Sequence, residues 1–252
     1  MMKSFFFSFL VICIFKVSYG QVEVLNTGAT DVINSLSIID NNIMIGGNAG
    51  TLLKSYDEGN QLTPVNLPQF PLGTWTEYQR IDTNNIFLFS KAGNYTMIYR
   101  SSDGGQTWVN KLDTDSIIGM EFVMFDSLQG ILMCLSHKCL RTYDGGDTWQ
   151  KDTLPLYYTF AAQRNGDSTI IASIQGGAFI SHDRGNTWAY TYTDNLSGGT
   201  QRDFYYLAPD TIYSVSGSTS GFFFLIVMMV ESIGHIIYFR RVLTSLQMLS
   251  TS

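Results

Sequence analysis

Five carboxylates, Glu77, Asp82, Asp115, Glu121 and Asp126, stand apart from the most repetitive text of the chain. Two such groups facing one another are the equipment of glycoside hydrolysis. One protonates the leaving oxygen and the other acts as base or nucleophile, roughly 5–9.5 Å away. Their spacing singles out no pair, and solvated loop carboxylates are the competing reading. His137, His182 and His235 lack the Ser or Cys partner pattern of nucleophilic catalysis, and Asp113, Asp115 and Asp126 lack the glycine-bearing loop of a calcium site. Cys134 and Cys139 flank a four-residue turn. In an oxidising compartment they are candidates for a small disulfide worth about 1–3 kcal/mol; two buried thiols are the alternative. His137 is the only soft ligand nearby, and structural zinc takes four. No catalytic, metal-binding or cofactor-binding residue is therefore assigned, and no cofactor is expected.

The elements that must position these groups announce themselves by repetition. A short phrase occurs four times: Ser55, Asp57, Gly59; Ser101, Asp103, Gly105, Thr107, Trp108; Thr142, Asp144, Gly146, Thr148, Trp149; and Ser181, Asp183, Gly185, Thr187, Trp188. Its aspartates are 46, 41 and 39 residues apart, a period suited to a blade of four short strands. Aspartate accepts hydrogen bonds from backbone N–H groups a few residues on, and glycine supplies positive φ. Thr and Trp then restart a strand whose indole can close one sheet against the next. Strand-like runs precede each phrase at 42–45, 85–89, 130–134 and 169–172, whereas the prolines at 64, 68 and 71 mark 63–68 as a loop between blades.

The phrase resembles the Asp-box, or BNR repeat, of sialidases, sortilin-type receptors, xyloglucan-cleaving endoglucanases and photosystem II assembly factors. Three copies match at every defining position; the first has Gln61 and Leu62 where Thr and Trp belong. The resemblance covers roughly residues 22–220 and implies an all-β fold, a β-propeller of four-stranded blades. The box would lie on the hairpin joining the third and fourth strands, in a structural role. About four to five blades fit, which reads as an incomplete ring.

What the resemblance implies for activity is divided. Sialidases carry an arginine triad, a Tyr–Glu nucleophile pair and a Phe/Tyr-Arg-Ile-Pro phrase. The nearest text here is Gln79-Arg80-Ile81-Asp82, and Arg100, Arg141 and Arg184 occupy repeat positions on separate blades. The expectation is a secreted, non-catalytic binding or scaffold module for a protein or carbohydrate ligand. The alternative is a glycoside hydrolase, endoglucanase-like or, further off, a sialidase. The tyrosine-rich segments at 156–158, 189–192 and 204–206 fit packing between blades first, and a contact face second.

The 252 residues carry a net charge of -6 with only 14% charged side chains. Without a basic stripe, nucleic acid is not an expected partner. Residues 1–20 have the form of an export signal: Lys3, an apolar core from Phe5 to Phe15, and small residues before Gln21. Export to an extracellular, periplasmic or cell-surface location follows, with the blades occupying 21–220. Residues 221–252 break the repeat with a hydrophobic tail, read first as a disrupted end and second as a membrane segment over 221–239. A further reading aligns Ile237 and Tyr238 with Ile98 and Tyr99, placing Val242 where the box aspartate belongs.

Overall fold

A computed structural model describes residues 27, 32–39, 41–48, 51–65, 67, 75–159, 161–174, 177–192, 200–208, 211–217, 223–230 and 236–242. The export-signal segment at 1–20 lies outside them.

The described chain is all-β, built from four-stranded antiparallel sheets in which sequence neighbours pair. The first sheet comprises β1 (Ile33–Ile39), β2 (Asn42–Gly47), β3 (Leu52–Ser55) and β4 (Thr63–Pro64). The second comprises β5 (Trp75–Arg80), β6 (Ile86–Ala92), β7 (Tyr95–Ser101) and β8 (Val109–Thr114). The third runs through β9 (Gly119–Met124), β10 (Gly130–Cys134), β11 (Lys138–Thr142) and β12 (Gln150–Thr153). The fourth holds β13 (Ala161–Asn165), β14 (Thr169–Ile174), β15 (Gly177–Ser181) and β16 (Ala189–Tyr192). A fifth sheet, described by its backbone, holds β17 (Thr200–Ala208), β18 (Thr211–Gly217), β19 (Phe223–Val230) and β20 (Ile236–Val242). These up-and-down meanders are the blades of a β-propeller.

Two compact units divide the chain. One contains the first two sheets, and the other the remaining three; residues 145–147 group with the first. Within the first unit, β1 and β2 lie against β5. Met44 and Leu52 of the first sheet pack there against Tyr78, Ile86, Leu88, Met97 and Tyr99 of the second. Within the second unit, Val123, Phe125, Ile131, Met133 and Cys139 pack against Ile170 and Ala172 of the fourth sheet, with Leu154 and Leu156 of the connection between them. The middle strands are covered on both faces, so all five residues of β10 are buried. That two-sided burial explains why these strands read as unbroken apolar runs instead of alternating. The fourth strands pair on one side only in their sheets. All of Gln150–Thr153 is exposed, and polar side chains on such an edge discourage pairing with other chains.

Strands appear at all four expected runs, but the start of the segment read as an inter-blade loop, Thr63–Pro64, is β4, paired with Lys54 and Leu53 and only two residues long. Of the two readings open for Cys134 and Cys139, a small disulfide or a pair of buried thiols, the structure has the second: both are free and buried. Register gives the reason. Cys139 pairs with Met133, so Cys134, one residue on, belongs to the other face of the sheet. Burial pushes the Cys134 thiol up to about 12 and the Cys139 thiol up to about 11.

In the tail, β19 pairs with both β18 and β20 as the third strand of its sheet. The run read as a disrupted end or a membrane segment therefore carries ladder pairing, and no helix among the described residues is long and apolar enough to cross a membrane. Ile237 and Tyr238 sit on the fourth strand, not the third. The slot of a repeat corner is thus 231–235, which lies outside the described residues.

Candidate functional site

The four repeated phrases form matching corners between the third and fourth strands of their sheets. In each, the Ser or Thr hydroxyl donates to Asp Oδ1: Ser55 to Asp57 at 2.7 Å, Ser101 to Asp103 at 2.8 Å, Thr142 to Asp144 at 2.9 Å and Ser181 to Asp183 at 2.7 Å. The serine oxygens also accept the N–H of Gly59, Gly105 and Gly185 at 2.7–2.8 Å. The carboxylate in turn accepts the N–H four residues on, from Gln61, Thr107, Thr148 and Thr187, at 2.8–2.9 Å. The Thr107, Thr148 and Thr187 hydroxyls donate to Oδ2 at 2.5–2.6 Å. The indoles of Trp108 and Trp188 donate to Gly105 O at 3.2 Å and Gly185 O at 2.9 Å. Each of these two rings packs on the core shared with the preceding sheet; Trp149 lies near the ring of Phe122.

The residue before Gly59, Gly105, Gly146 and Gly185 is left-handed in every corner: Glu58 at φ 59°, Gly104 at 71°, Gly145 at 73° and Arg184 at 60°. Glycine is the natural occupant of such a position, and two corners depart from it.

These donors leave an electrostatic mark. The hydroxyl and amide of Thr107 hold the Asp103 carboxyl down at about 2, and those of Thr148 do the same for Asp144. At Asp183 partial burial acts in the opposite direction, yet the Thr187 donors bring it to about 2. Asp57 is lowered by the Gln61 amide and the Ser55 hydroxyl, without a threonine. A carboxyl depressed on folding binds its proton less readily than in the unfolded chain, whose reference is 3.8. Its stabilisation is present above pH ~4 and is lost as pH falls toward ~2. The urea midpoint should hold steady from neutrality to pH ~5 and fall steeply between pH ~4 and ~2. A midpoint flat through that window would show that the corners do not depend on ionised aspartate.

The candidate carboxylates outside the corners lie on hairpins, a loop and strands of their own sheets. Asp82 accepts the N–H groups of Asn84 and Asn85 at 2.7 and 2.8 Å. Asp126 accepts those of Leu128 and Gln129 at 2.8 and 2.7 Å. Both therefore build the first hairpin of their own sheets. Asp115 accepts the Ser116 hydroxyl at 3.3 Å. Glu77 lies on β5 opposite Phe89, and Glu121 is buried on β9 opposite Met133. His137 Nδ1 contacts Leu154 O at 3.2 Å, and His182 Nδ1 contacts the Thr169 hydroxyl at 3.2 Å. Among the described residues, no three His, Cys, Asp or Glu side chains gather as a metal would require.

What the surface presents instead is aromatic. Tyr56 and Tyr143, each just ahead of a corner aspartate, are 66% and 51% exposed, and Tyr157 is 59% exposed beside the ring of His137. A small open groove of about 30 Å³ lies between the third and fourth sheets, lined by Tyr143, Arg141, Arg184, Gln129 and Asn186. Sequence reasoning missed Arg141 as a groove residue, because its partners lie 43 and 44 residues away.

No family model and no curated protein matches the chain. Solved structures do. The chain is similar to YCF48 from Cyanidioschyzon merolae (TM-score 0.56, 14% identity), covering 83% of this chain and 72% of that one. It is similar to a chain of a nidogen/laminin complex (TM-score 0.64, 12% identity), covering 87% and 84%. It also resembles the GH74 enzyme of Niastella koreensis (TM-score 0.61, 15% identity), covering 85% of this chain but 38% of the enzyme. At such identities the likeness is one of architecture. The repeat period, the four-stranded meanders and these neighbours agree that the chain is a β-propeller.

Proposed function

We propose that this chain is an exported, non-catalytic Asp-box propeller that binds or scaffolds a partner, a protein or a glycan. The observation that carries the reading is how the corner carboxylates are used. Each accepts two or more hydrogen bonds from its own loop, and Asp82 and Asp126 are spent in the same way on their hairpins. Carboxylates so employed are poor acids and bases near neutrality, while exposed tyrosines offer large contact area at small entropic cost. One structural neighbour comes from a complex between two proteins, which supports a protein ligand over a sugar. Export rests on the residues of 1–20.

Sialosides, β-glucans and xyloglucan incubated with the full-length product should show no turnover above buffer. Secreted material should begin at Gln21. Hydrolysis that disappears in Glu77→Gln or Glu121→Gln would replace this reading with the glycosidase one.

A further inference from the structure

The hairpin between β10 and β11 departs from its counterparts. In the other sheets the connection between second and third strands carries a glycine: Gly50, Gly93, Gly176 and Gly221. In the third sheet Leu135, Ser136 and His137 make the turn, and Ser136 at φ 67° and His137 at φ 62° are both left-handed. Two consecutive side chains in that region store backbone strain, which persists only where the surroundings hold it in place. The hold comes from the connection that follows β12. Ser136 N–H donates to Tyr157 O at 2.9 Å, and Leu154 N–H donates to His137 O at 2.8 Å. The imidazole adds a third contact through Nδ1, on Leu154 O at 3.2 Å.

What the strained turn achieves is the placing of a ring. His137 stands edge-on to Tyr157, with 5.3 Å between centroids and 68° between planes. Along the same connection Leu154 and Leu156 are buried, whereas Pro155, Tyr157 and Tyr158 are exposed. The two tyrosines thus sit on a segment anchored from beneath. Of the exposed large apolar side chains among the described residues, only these two are adjacent in sequence. Lys138, also exposed, follows the turn. Neither the turn (135–138) nor the connection (154–159) contains Asp or Glu, and Asp152, the one carboxylate of β12, is spent on Arg141 Nε at 2.8 Å. On a chain of net charge -6, these two segments make a cationic, tyrosine-bearing patch without an acid of their own.

Resting on the partner-binding reading above, we propose that this patch is where the partner docks, and that what docks is an acidic peptide segment bearing apolar side chains. Tyr157 and Tyr158 supply rigid contact area with few torsions to freeze. Lys138 meets a carboxylate of the segment, sets its register and disfavours basic competitors. His137 is a positioning residue: it fixes the Tyr157 ring before the partner arrives, and preorganisation of that kind raises affinity by lowering the cost of ordering. An uncharged glycan would stack on the tyrosines but leave the Lys138 charge without a counterpart.

A fluorescently labelled random copolymer of glutamate and tyrosine is the probe, added to the full-length protein and read by anisotropy. Binding is expected. Tyr157→Ala, which keeps the backbone carbonyl that Ser136 uses, should weaken it about tenfold, and Lys138→Gln about threefold. Asn94→Asp makes the same change of net charge at the equivalent turn of the second sheet and should leave binding unchanged. Equal weakening by Asn94→Asp and Lys138→Gln, or none by Tyr157→Ala, would reduce the attraction to bulk charge and overturn the proposal. So would failure of the copolymer to bind, or binding of neutral cello-oligosaccharides to the same tyrosines in its place. His137→Gly should weaken binding about threefold while the thermal midpoint holds or rises, because glycine suits the left-handed turn. A lower midpoint with affinity intact would assign the turn to the fold and sink its positioning role. Sugar turnover in the assays described above would remove the partner-binding reading itself, whatever the copolymer does, so the two failures are told apart.

Discussion

Gly46→Ala is expected to destabilise the first two sheets by about 3 kcal/mol, the upper end for an overfilled core. A Cβ at Gly46 would stand 2.0 Å from Tyr78 Cδ2 and 2.4 Å from Ser35 Oγ. Neither neighbour can withdraw cheaply. The Tyr78 ring is buried among Met44, Leu52 and Leu88, and its backbone N–H donates to that same Ser35 oxygen at 3.3 Å. The methyl therefore forces strand against ring instead of ring against solvent. Urea unfolding with fluorescence detection measures the loss. Tyr78→Leu, which removes the offending edge, should recover part of it when combined with Gly46→Ala, a coupling that only direct contact produces. An unaltered midpoint for Gly46→Ala would mean that β2 and β5 are not apposed as described.

Ser181→Ala should cost about 2 kcal/mol, and Ser181→Thr close to nothing. The hydroxyl is buried at 1% exposure. It donates to Asp183 and accepts the N–H groups of Asp183 at 3.3 Å and Gly185 at 2.8 Å. Alanine leaves the buried Gly185 N–H without an acceptor, a loss of about 1–3 kcal/mol for a group shut away from water. Threonine keeps the oxygen, as Thr142 does in the third corner. Thermal melts of the two variants separate hydrogen bonding from volume. Equal losses in both would assign the effect to packing.

The corners were legible because everything that makes them is local. Ser101, Asp103, Gly105 and Thr107 satisfy one another within seven residues, and turn chemistry at that range is written in residue types. The middle strands were legible by their apolar content, for the reason that burial on both faces demands it. The tail was not. From Phe223 to Val230 every residue is apolar, and such a run suits a strand buried on both faces as well as a hydrophobic helix. The choice between disulfide and buried thiols stayed open for a related reason. Spacing reports distance along the chain, whereas the alternation of faces set by the Cys139–Met133 pairing decides whether two sulfurs can meet. The contacts between sheets were beyond reach altogether. Lys54 donates from Nζ to Gly104 O, 50 residues away, and a lysine ahead of a turn looks like any solvated charge until its acceptor is seen.

The first corner closes with neither threonine nor tryptophan, since Gln61 supplies the amide that Asp57 requires. The fifth meander pairs all four of its strands although 231–235 contains no aspartate. Tallying blades by the tryptophan-ended signature therefore returns a floor, three where five sheets stand. Genomes surveyed by that signature will under-count wheels of this kind, most of all those whose later blades have shed it.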